Sequence, residues 1–172
     1  MNLTPLMKAA MIAVRDCMGA QPGENALVVT DTGKLAIAES FLYAFHSLGI
    51  DATLMVMTPR DHHAQEPPPE VRAAMLSSAV ALLITTKSLT HTHARVDATN
   101  QGVRIASLPG ITEDIMTVGA MTADYQKVSE LSWKLTKLME STQKVEITTE
   151  LGTHLVMSLK GRKPGLPPDD GI

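Results

Sequence analysis

Five consecutive apolar residues, Val80-Ala81-Leu82-Leu83-Ile84, constrain this chain more than any other feature. Successive side chains of a strand point to opposite faces, so an unbroken apolar run has to be buried on both. Ala26-Leu27-Val28-Val29-Thr30 repeats the pattern, and the segments from Ala52 to Met57 and from Val103 to Ser107 supply two further strand candidates. Helix-period stripes separate them: Leu3, Met7, Met11, Val14 and Met18, then Leu35, Ala38, Leu42 and Phe45, then a segment from about Pro69 to Ser78 and another from His93 to Gly102. This alternation predicts an α/β fold, a three-layer αβα domain with a mostly parallel sheet and right-handed crossovers. All crossover strands then point one way. The loops after the second and third strands therefore share one edge.

The periodicity changes after Ser141. Val145, Ile147 and Thr149 alternate with Lys144, Glu146 and Thr148, and Leu155, Met157 and Leu159 alternate again beyond a turn at Leu151-Gly152. This pattern predicts a C-terminal antiparallel β-hairpin. It divides the chain into an α/β domain over residues 1–142 and, over 143–172, a hairpin and tail that open a second, truncated domain. A lone hairpin is marginal in water, so it packs on the first domain, pairs with another chain, or belongs to a longer second domain. The helix preceding it, started by Thr122-Ala123-Asp124, carries the stripe Tyr125, Val128, Leu131, Leu135 and Leu138. Trp133 falls opposite that stripe, which is read either as an interdomain or subunit contact or as ordinary partial exposure.

With 172 residues, 44% of them apolar and 19% charged, the chain has enough material for one solid core. A net charge of −3 without a Lys/Arg run excludes a nucleic-acid backbone as partner. No apolar run approaches the ~18 residues of a membrane span, and Lys8 and Arg15 within a helical pattern argue against a signal peptide. Cys17 is the only cysteine, so no internal disulfide forms and the expected compartment is the reducing cytoplasm.

Two polar clusters stand at the expected shared edge, where open α/β sheets bind ligands. The first is Thr85-Thr86-Lys87-Ser88-Leu89-Thr90-His91-Thr92-His93-Ala94-Arg95; the second comprises Arg60, Asp61, His62, His63, Gln65 and Glu66. His91 and His93 would face one side of an extended segment and chelate a metal, but in a helix they diverge by about 200°, and the nearest carboxylate is Asp97. The better reading has His91 facing the cleft as proton donor or acceptor, oriented by the hydroxyls of Thr90 and Thr92. The alternative is that both histidines only bond loop backbone. Arg60, His63 and Glu66 suit a substrate carboxylate or amino terminus, or else form a charged loop held by its own salt bridges. Arg95 binds an anion in the same way, or braces Asp97 or Glu113. Asp31-Thr32-Gly33-Lys34 lacks the glycine spacing of a phosphate loop. Tyr125 is read as core, and Cys17 as a packed thiol that nothing nearby activates.

Six segments occur together in order: Val29-Thr30-Asp31-Thr32, Pro59-Arg60-Asp61-His62-His63-Ala64-Gln65-Glu66-Pro67-Pro68, Ser88-Leu89-Thr90-His91-Thr92-His93-Ala94-Arg95, Leu108-Pro109-Gly110-Ile111-Thr112-Glu113-Asp114, Ala120-Met121-Thr122-Ala123-Asp124-Tyr125 and Gly161-Arg162-Lys163-Pro164. Together they resemble the N-terminal part of the leucyl aminopeptidase T family of metallopeptidases, to which the ring-opening 2,5-dihydroxypyridine dioxygenases look related. The resemblance implies an N-terminal domain that walls an active-site cleft, followed by the opening strands of a metal-binding domain. It implies a divalent metal (zinc, cobalt or iron) held by the family's C-terminal half, with no metal ligand and no cofactor in this chain. In the intact protein, metal-activated water would remove the N-terminal residue of a peptide. His91 would serve catalysis, and Arg60, His63, Thr90, His93 and Arg95 would bind the peptide or small-molecule substrate. The expected partners are the missing metal domain and further copies in a homo-oligomer, and the chain alone would be inert. The rival readings are an Fe(II)-dependent ring-cleaving dioxygenase on the same scaffold, and a non-catalytic small-molecule-binding or self-associating domain.

Overall fold

In the computed structural model, which describes residues 4–165, the run Val80–Ile84 forms β3 and is buried along its whole length. It lies inside a four-stranded parallel sheet of order β2-β1-β3-β4, where β1 is Asn25–Asp31, β2 Asp51–Met57 and β4 Arg104–Ser107. The pleat sorts β3 into two cores. Val80, Leu82 and Ile84 face one side, with Phe41, Ala44 and Phe45 of α2 (Leu35–Ser47) and Ala9, Ala10 and Val14 of the N-terminal helix. Ala81 and Leu83 face the other, with Val71 and Met75 of α3 (Pro69–Leu76) and Ala94 and Ala98 of α4 (His93–Asn100). The three-layer α/β expectation therefore holds, and the reason is the one that made the run legible: each strand residue is apolar because each face carries helices.

Local signals set the helix starts. The Thr4 hydroxyl accepts from Met7 N at 3.3 Å ahead of α1 (Pro5–Met11), with proline in the first turn where its missing N–H is harmless. That helix then widens into a π-helical segment over Ile12–Cys17, with Met18 N bonding Ala13 O, a change no residue in the stretch announces. In α2 the buried face is Ile37, Ala38, Phe41, Ala44 and Phe45, while Leu35 of the expected stripe is exposed. A fifth helix, α5 (Glu113–Thr117), begins at the Thr112 hydroxyl, which accepts from Ile115 N.

The chain forms two compact units, Met1–Ala123 and Asp124–Ile172. The second contains α6 (Tyr125–Ser141) and the antiparallel hairpin β5 (Lys144–Thr148) and β6 (His154–Ser158). Val145 pairs with Met157 and Ile147 with Leu155, so four apolar side chains share one hairpin face. The α6 stripe departs from expectation: Leu131, Leu135 and Leu138 are 64%, 56% and 65% exposed, while Thr136 is buried. Trp133, at 39%, is less exposed than those leucines. No helix among the described residues is long and apolar enough to cross a membrane.

Candidate functional site

Parallel strands deliver the β2–α3 and β3–α4 loops to the same carboxyl edge, and backbone and side chains fasten them together. Ala64 N donates to Ser88 O at 2.8 Å, and Ser88 N donates to His63 Nδ1 at 3.0 Å. Ala64 reaches its partner with a φ of 65°, in the left-handed region that non-glycine residues seldom occupy. Further along, the Glu66 carboxylate accepts from His93 N at 2.6 Å and Ala94 N at 3.2 Å, capping the first turn of α4. The two clusters, distant in sequence, thus make one rim.

Asp31 closes the rim where strand order reverses. It is fully buried at the end of β1, and its carboxylate accepts from Thr86 N at 2.5 Å, the Thr86 hydroxyl at 2.8 Å and Gly33 N at 2.9 Å. The crevice between β1 and β3, the switch point of this topology, is therefore occupied by the protein's own carboxylate. Sequence reasoning gives Asp31 no role at the site. The available signal was an aspartate ending an apolar strand two residues before glycine, the pattern of an Asx turn.

Each expected site residue has a definite place. His91 is exposed in the turn before α4, and His93 is exposed as the first residue of that helix. Neither threonine orients His91. The Thr90 hydroxyl donates to Ser107 Oγ at 2.8 Å and accepts from Ser88 Oγ at 2.9 Å, while the Thr92 hydroxyl donates to Leu89 O and accepts from Arg95 N. Thr92 is the helix N-cap instead. Arg95 does not brace Asp97: its Nε donates to Thr90 O at 2.6 Å, and Asp97 pairs with Arg72 at 2.6 Å. Arg60 donates from Nη2 to the backbone and side-chain oxygens of Thr58, and its Nε is buried without an acceptor. Hydrogen bonds, not salt bridges, hold the loop of Arg60 and His63. Because a backbone N–H reaches Nδ1 of His63, a neutral His63 carries its proton on Nε2.

No group of three or more His, Cys, Asp or Glu side chains among the described residues is placed to hold a metal ion. Two carboxylates of the rim, Asp31 and Glu66, are committed to N–H and O–H donors. These residues do not fit a metal centre. A cavity of about 570 Å³ lies elsewhere, at the amino end of β2 beside Tyr43, His46 and Asp51.

The structure of 2,5-dihydroxypyridine dioxygenase from Pseudomonas putida matches with a TM-score of 0.63 and 10% identity, over 92% of this chain and 48% of that one. Wild-type AmpT from Thermus thermophilus matches with a TM-score of 0.53 and 12% identity, over 90% of this chain and 53% of that one. The shared property is the fold. This chain spans about half the length of each of these structures. No family model and no curated protein sequence matches it.

Proposed function

We propose that this chain is the N-terminal, cleft-lining domain of a cytoplasmic metal-dependent hydrolase of the leucyl aminopeptidase T type, with the metal held by residues outside 4–165. The observation that carries the reading is the joining of the His63 and His91 loops into one rim at the carboxyl edge of the sheet. The fold likeness to AmpT supports it, as does the span of about half that protein's length. The metal, when bound, would supply an activated water. The residues of this chain would hold the substrate: Arg60 and Arg95 anchor it, His63 donates from Nε2, and Thr90 offers only a lone pair, its proton being held by Ser107. His93 borders the substrate from the start of α4. His91, exposed and free of the threonine hydroxyls, accepts or donates the proton.

The higher TM-score to the dioxygenase favours a second reading, ring cleavage of a small aromatic substrate by an iron centre on the same scaffold. One experiment separates them. The protein expressed from the complete reading frame, loaded in turn with zinc, cobalt and iron, is assayed on leucyl anilides and on 2,5-dihydroxypyridine. Metal-dependent peptide hydrolysis, abolished by His91→Ala and absent from the 172-residue chain, is the expected result. Ring opening in its place selects the second reading. Turnover by the purified 172-residue chain overturns both.

A further inference from the structure

The arginines of the α/β unit are partnered unevenly. Away from the rim, Arg15, Arg72 and Arg104 each hold a carboxylate, Asp16, Asp97 and Glu24, at 2.6 Å. On the rim, Arg60 and Arg95 bond only neutral oxygens, and no ion pair or side-chain hydrogen bond is made by Lys87 among the described residues. The rim's own acids do not compensate them. Asp31 and Glu66 are held by backbone amides and the Thr86 hydroxyl, and Asp61 is exposed without an ion pair among the described residues. Arg60 Nε is, in addition, the single buried side-chain nitrogen or oxygen among the described residues that lacks a partner.

We infer that the segment from Lys87 to Arg95 forms a carboxylate-binding subsite, with the outer nitrogens of Arg95 and the Lys87 ammonium as its charged donors. Arg95 is pre-set for the task. Its Nε is tied to Thr90 O at 2.6 Å, and Thr90 is fixed in turn by Ser88 and Ser107 through hydroxyl bonds of 2.9 and 2.8 Å. Tying Nε leaves the terminal nitrogen pair, which matches the two oxygens of a carboxylate. Phosphate is the poorer fit. It is commonly cradled by backbone N–H groups at a loop or helix start, and here those of Gly33, Thr86, His93 and Ala94 already hold Asp31 and Glu66. The inference rests on the proposed function only for placing substrate at this rim. It adds that the substrate bears a carboxylate there.

The test uses the 172-residue chain and three probes at matched ionic strength: acetate, its neutral isostere acetamide, and inorganic phosphate. Two-dimensional NMR follows the amides of Ser88 and Thr90 and the Nε–H of Arg95. Saturable shifts with acetate, none with acetamide and weaker ones with phosphate are expected. Lys87→Gln, which breaks no side-chain bond among the described residues, is expected to weaken acetate about tenfold, the scale of one charged hydrogen bond. Equal shifts from acetamide, tighter phosphate, unsaturable titration or an unchanged affinity in Lys87→Gln would each overturn it. Failure here, with metal-dependent turnover of the intact protein still sensitive to His91→Ala, removes the subsite and leaves the proposed function. Acetate binding without either turnover does the reverse.

Discussion

Asp31 and Thr86 meet across the point where the strand order reverses, the carboxylate accepting both the amide and the hydroxyl of the threonine, at 2.5 and 2.8 Å. With Gly33 N as a third donor, the buried carboxylate ties the ends of β1 and β3 together. Its bonds fix the start of the loop that carries Lys87, Ser88 and His91.

Replacing Asp31 by alanine leaves two backbone N–H groups without their acceptor inside the protein. The expected loss is about 2–3 kcal/mol of unfolding free energy, read by urea denaturation. Gly33→Ala probes the same knot from outside, because a Cβ there would lie 2.9 Å from the Thr86 hydroxyl. Combined with Thr86→Ser, its cost should stay unchanged, since the hydroxyl remains; combined with Thr86→Val, the steric conflict changes partner and the two effects should couple.

Glu66 holds the first turn of α4 from a loop more than twenty residues earlier. Glu66→Ala should cost about 1 kcal/mol, the usual worth of a cap with favourable helix-dipole charge. Amide exchange at His93 and Ala94 should accelerate, while β1 and β3 keep their protection. Unaltered exchange at both amides would show that the cap does not order the rim.

The Ser88 amide assigns the His63 tautomer. Long-range nitrogen–proton NMR of the neutral ring should therefore give the pattern of a protonated Nε2 and a bare Nδ1. His63→Gln retains a side-chain acceptor and should preserve the Ala64–Ser88 pairing better than His63→Leu does. The loop amide shifts would report it.

Arg104 grips Glu24 with two bonds, at 2.9 and 2.6 Å, joining the start of β4 to the residue before β1. The guanidinium, followed by the bond from Gln21 N, holds the Glu24 carboxyl below its ordinary value. A carboxyl depressed in the folded state adds stability that is present above its unfolded value and disappears as pH falls through the folded one. Glu24→Gln should therefore lower stability at neutral pH and flatten the acid limb of the stability profile. Solvent reaches both side chains, so the difference should stay under about 1 kcal/mol and shrink in salt.

The layers were legible because they follow from one-dimensional rules. Val80–Ile84 is apolar without interruption since helices cover both faces, and the shift to period two after Ser141 marks a hairpin with one apolar face. Parallel strands made it legible also that the Arg60–Glu66 and Lys87–Arg95 clusters share an edge. What each side chain does there was not. Adjacency in sequence suggests that Thr90 and Thr92 serve His91, and offers Arg95 either an anion or a brace at Asp97 or Glu113; in space Ser107 and Leu89 O claim the hydroxyls, Arg95 Nε bonds Thr90 O, and Arg72 claims Asp97.

By itself, then, the order of residues determined the α/β class, the parallel sheet and the edge on which the polar loops gather, since burial on a strand or helix depends on spacing alone. Only the tertiary structure decided that Asp31 fills the switch point, that Glu66 caps α4 and that the rim cations lack carboxylates. Hydrogen bonds act over about 3 Å, and which donor comes within that reach of which acceptor depends on how distant segments are brought together.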